Sequence, residues 1–167
     1  RFKYYLAPKH TGISKAKNFA IEQAKGDLIA FLDVDDMWES HKLEVHVPLF
    51  FNQEIGVVYS NLWHIKNNES KKKIFSKKKL FEGDVYEKIV NHYNVGLVTT
   101  VIRKKCYDLL EKKFDKRYGI IADFDLILRL AKKYNFSCIQ DPLAYYRLHT
   151  TNYSIVNKDK EISDLEF

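Results

Sequence analysis

The segment "DLIAFLDVDDMW", Asp27 to Trp38, limits the fold more than any other stretch of the chain. An unbroken apolar run bounded by charge suits a strand buried on both faces, as in a parallel sheet covered by helices. The run ends in three carboxylates, Asp33, Asp35 and Asp36. Like charges so close repel, and an ion, a basic group or solvent must compensate them. In open α/β sheets, ligands bind beyond the carboxyl ends of the strands. Extended backbone turns Asp33 and Asp35 to one face and Val34 to the other. Two hard oxygen donors on one face suit Mg²⁺ or Mn²⁺, ions that commonly bridge protein carboxylates to substrate phosphates.

Three rival readings exist. An EF-hand loop starting at Asp33 fails in its middle, where Met37 and Trp38 replace an oxygen ligand and the required Gly. A haloacid-dehalogenase-type phosphatase also begins with an apolar strand and Asp-x-Asp, and would use Asp33 as nucleophile. Met37 stands where such enzymes usually carry Thr or Val. The plainest reading is an acidic strand end facing solvent.

The rest of the chain reads as strands alternating with helices, which predicts one α/β domain with a mixed, mostly parallel sheet. "KYYLA" reads as a strand. The helix that follows carries Ile13, Ala16, Ala20 and Ala24 at helical spacing, with Ser14 as its cap and Gly26 at its end. "WESHKLEVHVPLFFN" reads as a helix limited by Pro48. "IGVVYSNLWHI" and the β-branched "VGLVTTVIRK" read as strands, and "EGDVYEKIVNHY", "KKCYDLLEKK" and "DFDLILRLAKKYN" as helices. "FSCIQDPLAYYRLH" predicts two short strands broken around Asp141-Pro142. No repeat or linker divides the chain.

Hydrophobic residues make up 46% of the chain and aromatics 14%, which excludes a disordered segment. No apolar run approaches the ~20 residues a membrane-spanning helix needs. Cys106 and Cys138 form no CxxC motif and no disulfide framework, as expected of reduced thiols in the cytoplasm. The net charge is +6, and Lys66–Lys79 alone holds seven Lys against one Glu. The basicity is therefore local, which excludes a general nucleic-acid binder. The Lys-rich segment reads as a solvated edge hairpin or as a peripheral contact with an anionic membrane surface or a phosphate-bearing acceptor. The chain opens directly on "RFKYYLAP", and the expectation is a fragment whose fold starts upstream of Arg1.

The flanks of the acidic cluster separate the rivals. Gly12, Ser14, Ala16, Lys17 and Asn18 precede it, then Gly26, Asp27, Ile29 and Phe31 to Asp33. Asp35, Asp36, Trp38, Lys42, Leu43 and Glu44 complete the series. This ordered series resembles the inverting family 2 glycosyltransferases of the GT-A fold. "TTVIRKKCYDLL", "ADFDLILRLA" and "PLAYYRLHTTNYS" follow in the family's order, so the resemblance runs nearly to Ser154.

The resemblance implies transfer of a sugar, with inversion and metal assistance, from a nucleotide sugar (a UDP-sugar foremost) to a glycan or lipid-linked acceptor. Polysaccharide biosynthesis at the inner face of the membrane is the implied setting. Residues 1–60 would be the rest of the nucleotide-sugar and metal half, 61–154 the acceptor-side half, and 155–167 a polar tail. Asp33-Val34-Asp35 would be the DxD element, with Asp35 on the metal and Asp33 near the donor. Lys17 and Arg147 would contact the donor's phosphates, and His149 would complete the metal shell. Asp123 falls where the family carries its general base, although Ala122 replaces the usual preceding Glu. Helix capping is the bland alternative for Asp123. Asp36 and Trp38 would support the site, and Thr99 and Thr100 would lie on a strand at the acceptor side. A non-catalytic relative that only binds carbohydrate is the alternative from a different functional class.

Overall fold

The computed structural model describes residues 2–66 and 72–156. Its sheet runs β1 (Leu28–Ala30), β5 (Val101–Arg103), β3 (Ile55–Lys66), β6 (Asn135–Leu148), β2 (Met37–Trp38), with β4 (Lys72–Ile74) pairing the outer half of β3. The sheet is mixed and flanked by helices, as expected, but its balance differs from the expectation. Of the pairings among the described residues only β3–β6 is parallel, and the other four are antiparallel. The buried run at Asp27–Asp33 contributes just three residues of strand, against β5, before it bends away.

Among the described residues the α-helices are α1 (Ile13–Gln23), α2 (Lys42–His46), α3 (Tyr86–Asn91), α4 (Lys104–Asp108), α5 (Ala122–Ala131) and α6 (Tyr153–Val156). Alternation along β3 explains the layers. Val57 and Tyr59 point into the main core with Ile29, Ile102 and Phe136, where α5 (Ala122–Ala131) buries Leu126, Ile127 and Leu130. Val58 points the other way, onto Val101 and Phe50. Phe50 sits in the 3₁₀ turn Val47–Phe51 that continues α2 (Lys42–His46). Both faces of β3 are thus covered, which is why its sequence is a near-continuous apolar run.

Gly56 lets Tyr134 lie against β3. A Cβ there would be 2.6 Å from the Tyr134 Cβ and 3.4 Å from the Cys106 Sγ. Overpacking of this kind costs about 1–3 kcal/mol. Gly56→Ala is expected to lower the midpoint of urea unfolding at an unchanged slope.

Several local expectations are corrected. "KYYLA" is not a strand: no partner strand meets it among the described residues, and Tyr4 and Leu6 are exposed. Residues 135–148 form one strand, not two. Asp141-Pro142 produces a register shift, in which Asn61 pairs with Pro142 after Ser60 has paired with Ile139. Ser14 does not cap α1 (Ile13–Gln23); Gly12 stands at the cap and the Ser14 hydroxyl goes elsewhere. Residues 67–71 of the Lys-rich segment and the tail from residue 157 lie outside the described residues.

Candidate active site

A cleft of about 580 Å³ opens at the end of β1, and Lys17, Asp33, Asp35, Asp36 and Asp123 all line it. Five of the residues singled out from sequence therefore share one cavity, although they come from α1, the loop after β1 and α5.

The acidic loop is held by the end of β6. The Asp35 carboxylate meets His149 Nε2 at 2.9 Å. That hydrogen bond holds the Asp35 carboxyl below the ordinary range. Arg147 donates from Nε to the Asp35 carbonyl at 3.0 Å, so it braces the loop backbone. Its own backbone N–H donates to Asp36 Oδ1 at 3.0 Å. Asp36 is 8% exposed, and burial pushes its carboxyl up to about 6, against the pull of the Arg147 N–H. Asp36 is thus a support that ties the loop to β6. Asp33 faces the solvent side of the cleft.

His149 is oriented in turn. Its Nδ1 lies 2.8 Å from the Thr151 hydroxyl. Its backbone N–H donates to Asn152 Oδ1, and Asn152 Nδ2 donates to the Arg147 carbonyl. A ring nitrogen fixed by a second partner is the usual arrangement for an imidazole presented to a metal. Among the described residues no three His, Cys, Asp or Glu side chains converge. A carboxylate plus an imidazole fits an ion that takes its remaining ligands from substrate phosphates and water.

Asp123 lines the same cleft from the first turn of α5. It is not the helix cap, since Ile121 holds that position without a side-chain bond. Asp123 Oδ1 accepts the N–H of the next residue, Phe124, at 2.8 Å. Burial pushes its carboxyl up, with the Asp33 charge adding and the Lys17 charge opposing. Ala122, at the position where the resemblance implies Glu, is 4% exposed and belongs to the core. Asp125 pairs with Arg129 at 2.6 Å and is structural.

The helix before the acidic strand has a role that sequence did not assign. Ser14 Oγ donates to the Tyr118 carbonyl at 3.1 Å. Asn18 Nδ2 donates to the Phe114 carbonyl, while its Oδ1 accepts the Tyr107 hydroxyl and the Phe114 N–H. These two residues staple to α1 the loop that leads into Asp123. Tyr93 was also missed. Its ring packs edge-to-face on Phe124 at 4.9 Å, and burial, with the Asp123 charge adding to it, raises the pKa of its hydroxyl.

Five expected site residues do not line the cleft: Arg147 and His149, which hold the acidic loop, and Trp38, Thr99 and Thr100. Thr99 ends a 3₁₀ turn (Leu97–Thr99), and Thr100 follows it; neither lies in a strand. Both are fully buried, and both hydroxyls donate to the Gly96 carbonyl, so they shape the wall without meeting a ligand. Trp38 donates from Nε1 to the Val98 carbonyl at 2.8 Å and lies under Lys42, whose Nζ is 4.4 Å from the ring centroid.

Lys42 is fully buried, and burial pushes its amine down to about 8 from 10.5. Between those values the unfolded chain keeps the proton and the folded one releases it, so stability rises with pH through that window. Below pH 8 the folded state carries the whole penalty, about 3 kcal/mol before the Trp38 contact offsets part of it. Lys42→Met is therefore expected to stabilise the protein at pH 7 by about 1–3 kcal/mol. It should also abolish the alkaline rise, as measured by denaturant unfolding at pH 7 and pH 9.5.

Comparison with known proteins gives the same direction. The family described as "Glycosyl transferase family 2" matches residues 1–110. The Escherichia coli protein WfgD, a "UDP-Glc:alpha-D-GlcNAc-diphosphoundecaprenol beta-1,3-glucosyltransferase", is 30% identical over 153 residues. That alignment covers 90% of this chain and 57% of WfgD. The "Amylovoran biosynthesis glycosyltransferase AmsB" of Erwinia amylovora is 32% identical over 142 residues, covering 81% of this chain and 46% of AmsB. The chain spans about half the length of the curated relatives it matches. In fold it is similar to S. aureus TarS 1-349 in complex with UDP-GlcNAc, with a TM-score of 0.62 and 17% identity over 85% of this chain and 40% of that one. No helix among the described residues is long and apolar enough to cross a membrane.

Proposed function

The chain belongs to glycosyl transferase family 2, and we propose that it forms part of the catalytic domain of an inverting transferase. In this reading the enzyme moves a sugar from a UDP-sugar to a glycan or lipid-linked acceptor during polysaccharide biosynthesis. The observation that carries the reading is one cleft lined by both Asp35, which His149 holds from behind the acidic loop, and Asp123. The relatives' UDP-linked names support the donor class. The family favours this reading over a phosphatase using Asp33.

Asp35 and His149 would hold a Mg²⁺ or Mn²⁺ ion. Bound there, the ion would supply positive charge to the departing diphosphate. Asp33 and Lys17 face the same space and would position the donor. Lys17 replaces the family's more common Arg, giving up a bidentate grip on phosphate. Arg147 keeps the ligand loop in place. Asp123 removes the proton from the acceptor hydroxyl as the new bond to the anomeric carbon forms and the bond to the diphosphate oxygen breaks. Its raised pKa brings its proton affinity nearer to neutrality, which suits a base at that pH. Residues 1–60 then carry the donor and metal half and 61–154 most of the acceptor half, with His149 closing the metal side. Reduced Cys106 and Cys138 agree with work in the cytoplasm.

The test is UDP release by the full-length protein, with UDP-glucose and UDP-N-acetylglucosamine and an acceptor extract. Release that requires both metal and extract supports the reading. Sugar binding without any release over hours supports the non-catalytic alternative.

A further inference from the structure

The cleft does not end at the acidic loop. It continues along the sheet face past Leu62 to His64, Phe75 and Tyr146. The His64 ring packs edge-on against Phe75 at 5.4 Å and against Tyr146 at 5.7 Å. Three half-buried rings therefore line one wall of an open cleft. The pairing shows how they come together. His64 is opposite Tyr146 in the parallel β3–β6 pair and opposite Lys73 in the antiparallel β3–β4 pair. Directly opposed residues present their side chains on the same face. Lys73 is thus an exposed cation on the face that lines the cleft, beside the last ring.

The edge that carries Lys73 is anchored. The buried Asn61 side chain donates from Nδ2 to the Ser76 carbonyl at 2.8 Å, and its Oδ1 accepts the Ser76 N–H. Phe75 N–H donates to the Leu62 carbonyl. A cleft that runs from the Asp123 carboxylate over aromatic rings to an exposed lysine on an anchored strand offers successive contacts for a polar group, an apolar ring face and an anion. The C–H faces of a sugar ring pack well on aromatic side chains. His64 is pushed down by burial and by the Lys73 charge, so it is neutral at pH 7 and can both donate to and accept from sugar hydroxyls.

We propose that His64, Phe75, Tyr146 and Lys73 form the acceptor subsite, and that the acceptor is a sugar carrying a phosphate or diphosphate which Lys73 binds. This rests on the transferase reading above and specifies its acceptor. Tyr145 already occupies the neighbouring lysine, since Lys72 Nζ donates to its hydroxyl and lies over its ring. Lys73, opposite His64 and on its face, is left to meet the anion.

The experiment uses the full-length protein and two probes that differ only in the anion: a short alkyl diphosphoryl sugar and the matching neutral alkyl glycoside. Affinity is read by calorimetry and turnover by UDP release. Lys73→Glu is expected to raise Kd and KM for the phosphorylated probe about tenfold, while leaving those for the neutral probe and the donor within twofold. Tyr146→Ala is expected to weaken both probes and spare donor affinity, and a melting curve for each variant checks folding. Equal effects of Lys73→Glu on both probes, or none on either, would overturn the proposal. So would a loss confined to binding of anionic phospholipid vesicles, which would make Lys73 a membrane contact. A wild-type protein that fails to bind any UDP-sugar refutes the transferase reading itself. A wild type that binds donor but shows no Lys73 discrimination refutes only the acceptor subsite.

Discussion

Asp123→Asn is expected to cut sugar transfer by on the order of 10²–10⁴-fold while leaving UDP-sugar affinity within a factor of a few. The amide oxygen can still accept the Phe124 N–H, so the first turn of α5 keeps its local bond and the fold survives. What disappears is the carboxylate that takes the acceptor proton. The wild-type pH profile carries the same signature. Burial raises the Asp123 pKa, so the acid limb of kcat/KM should fall at a pH above the ordinary carboxylate value of 3.8. Only the deprotonated form acts as base, so activity rises with pH through that point. A variant that lost stability with its activity intact would assign Asp123 to structure.

Asp35→Ala is expected to have the second-largest effect. It removes one of two protein groups proposed to hold the ion and releases His149 from its 2.9 Å contact. The metal dependence of donor binding should vanish, with transfer lower by about 100-fold or more. The pair is partly open to solvent, so the same variant should lie within about 1 kcal/mol of wild type in stability. Catalysis and stability thus separate at Asp35. At Gly56 and Lys42 the effect falls on stability alone, because both lie in packed regions off the cleft.

Much of this arrangement was legible in the sequence, for physical reasons. The continuous apolar runs ending in charge located β1 and β3, because only doubly covered strands can use them. Asp33 and Asp35 do share one cleft, but not by extended alternation: the Asp36 N–H donates to the Asp33 carbonyl, so the chain turns there and Val34 lines the same cleft. Spacing cannot show what lies across space. Asp36 became a support because the Arg147 N–H, 111 residues away, donates to it. Ser14 looked like a cap because local sequence favours caps, but the Tyr118 carbonyl took its hydroxyl. Thr99 and Thr100 carry β-branched side chains suited to a strand, yet the turn at Gly96 claimed both. Proline lacks the N–H that a ladder needs, so the sequence predicts a break at Asp141-Pro142. A register shift let β6 continue through it.

The central claim is that the cleft binds a nucleotide-sugar diphosphate through an ion held by Asp35 and His149. Calorimetric titration of UDP-glucose and UDP-N-acetylglucosamine into the full-length protein, once with Mn²⁺ and once with chelator, measures it directly. The account predicts saturable binding of at least one donor with Mn²⁺, weakened about tenfold or more by the chelator and equally weak in Asp35→Ala. No binding of either donor, or the same affinity with and without the ion, would contradict it.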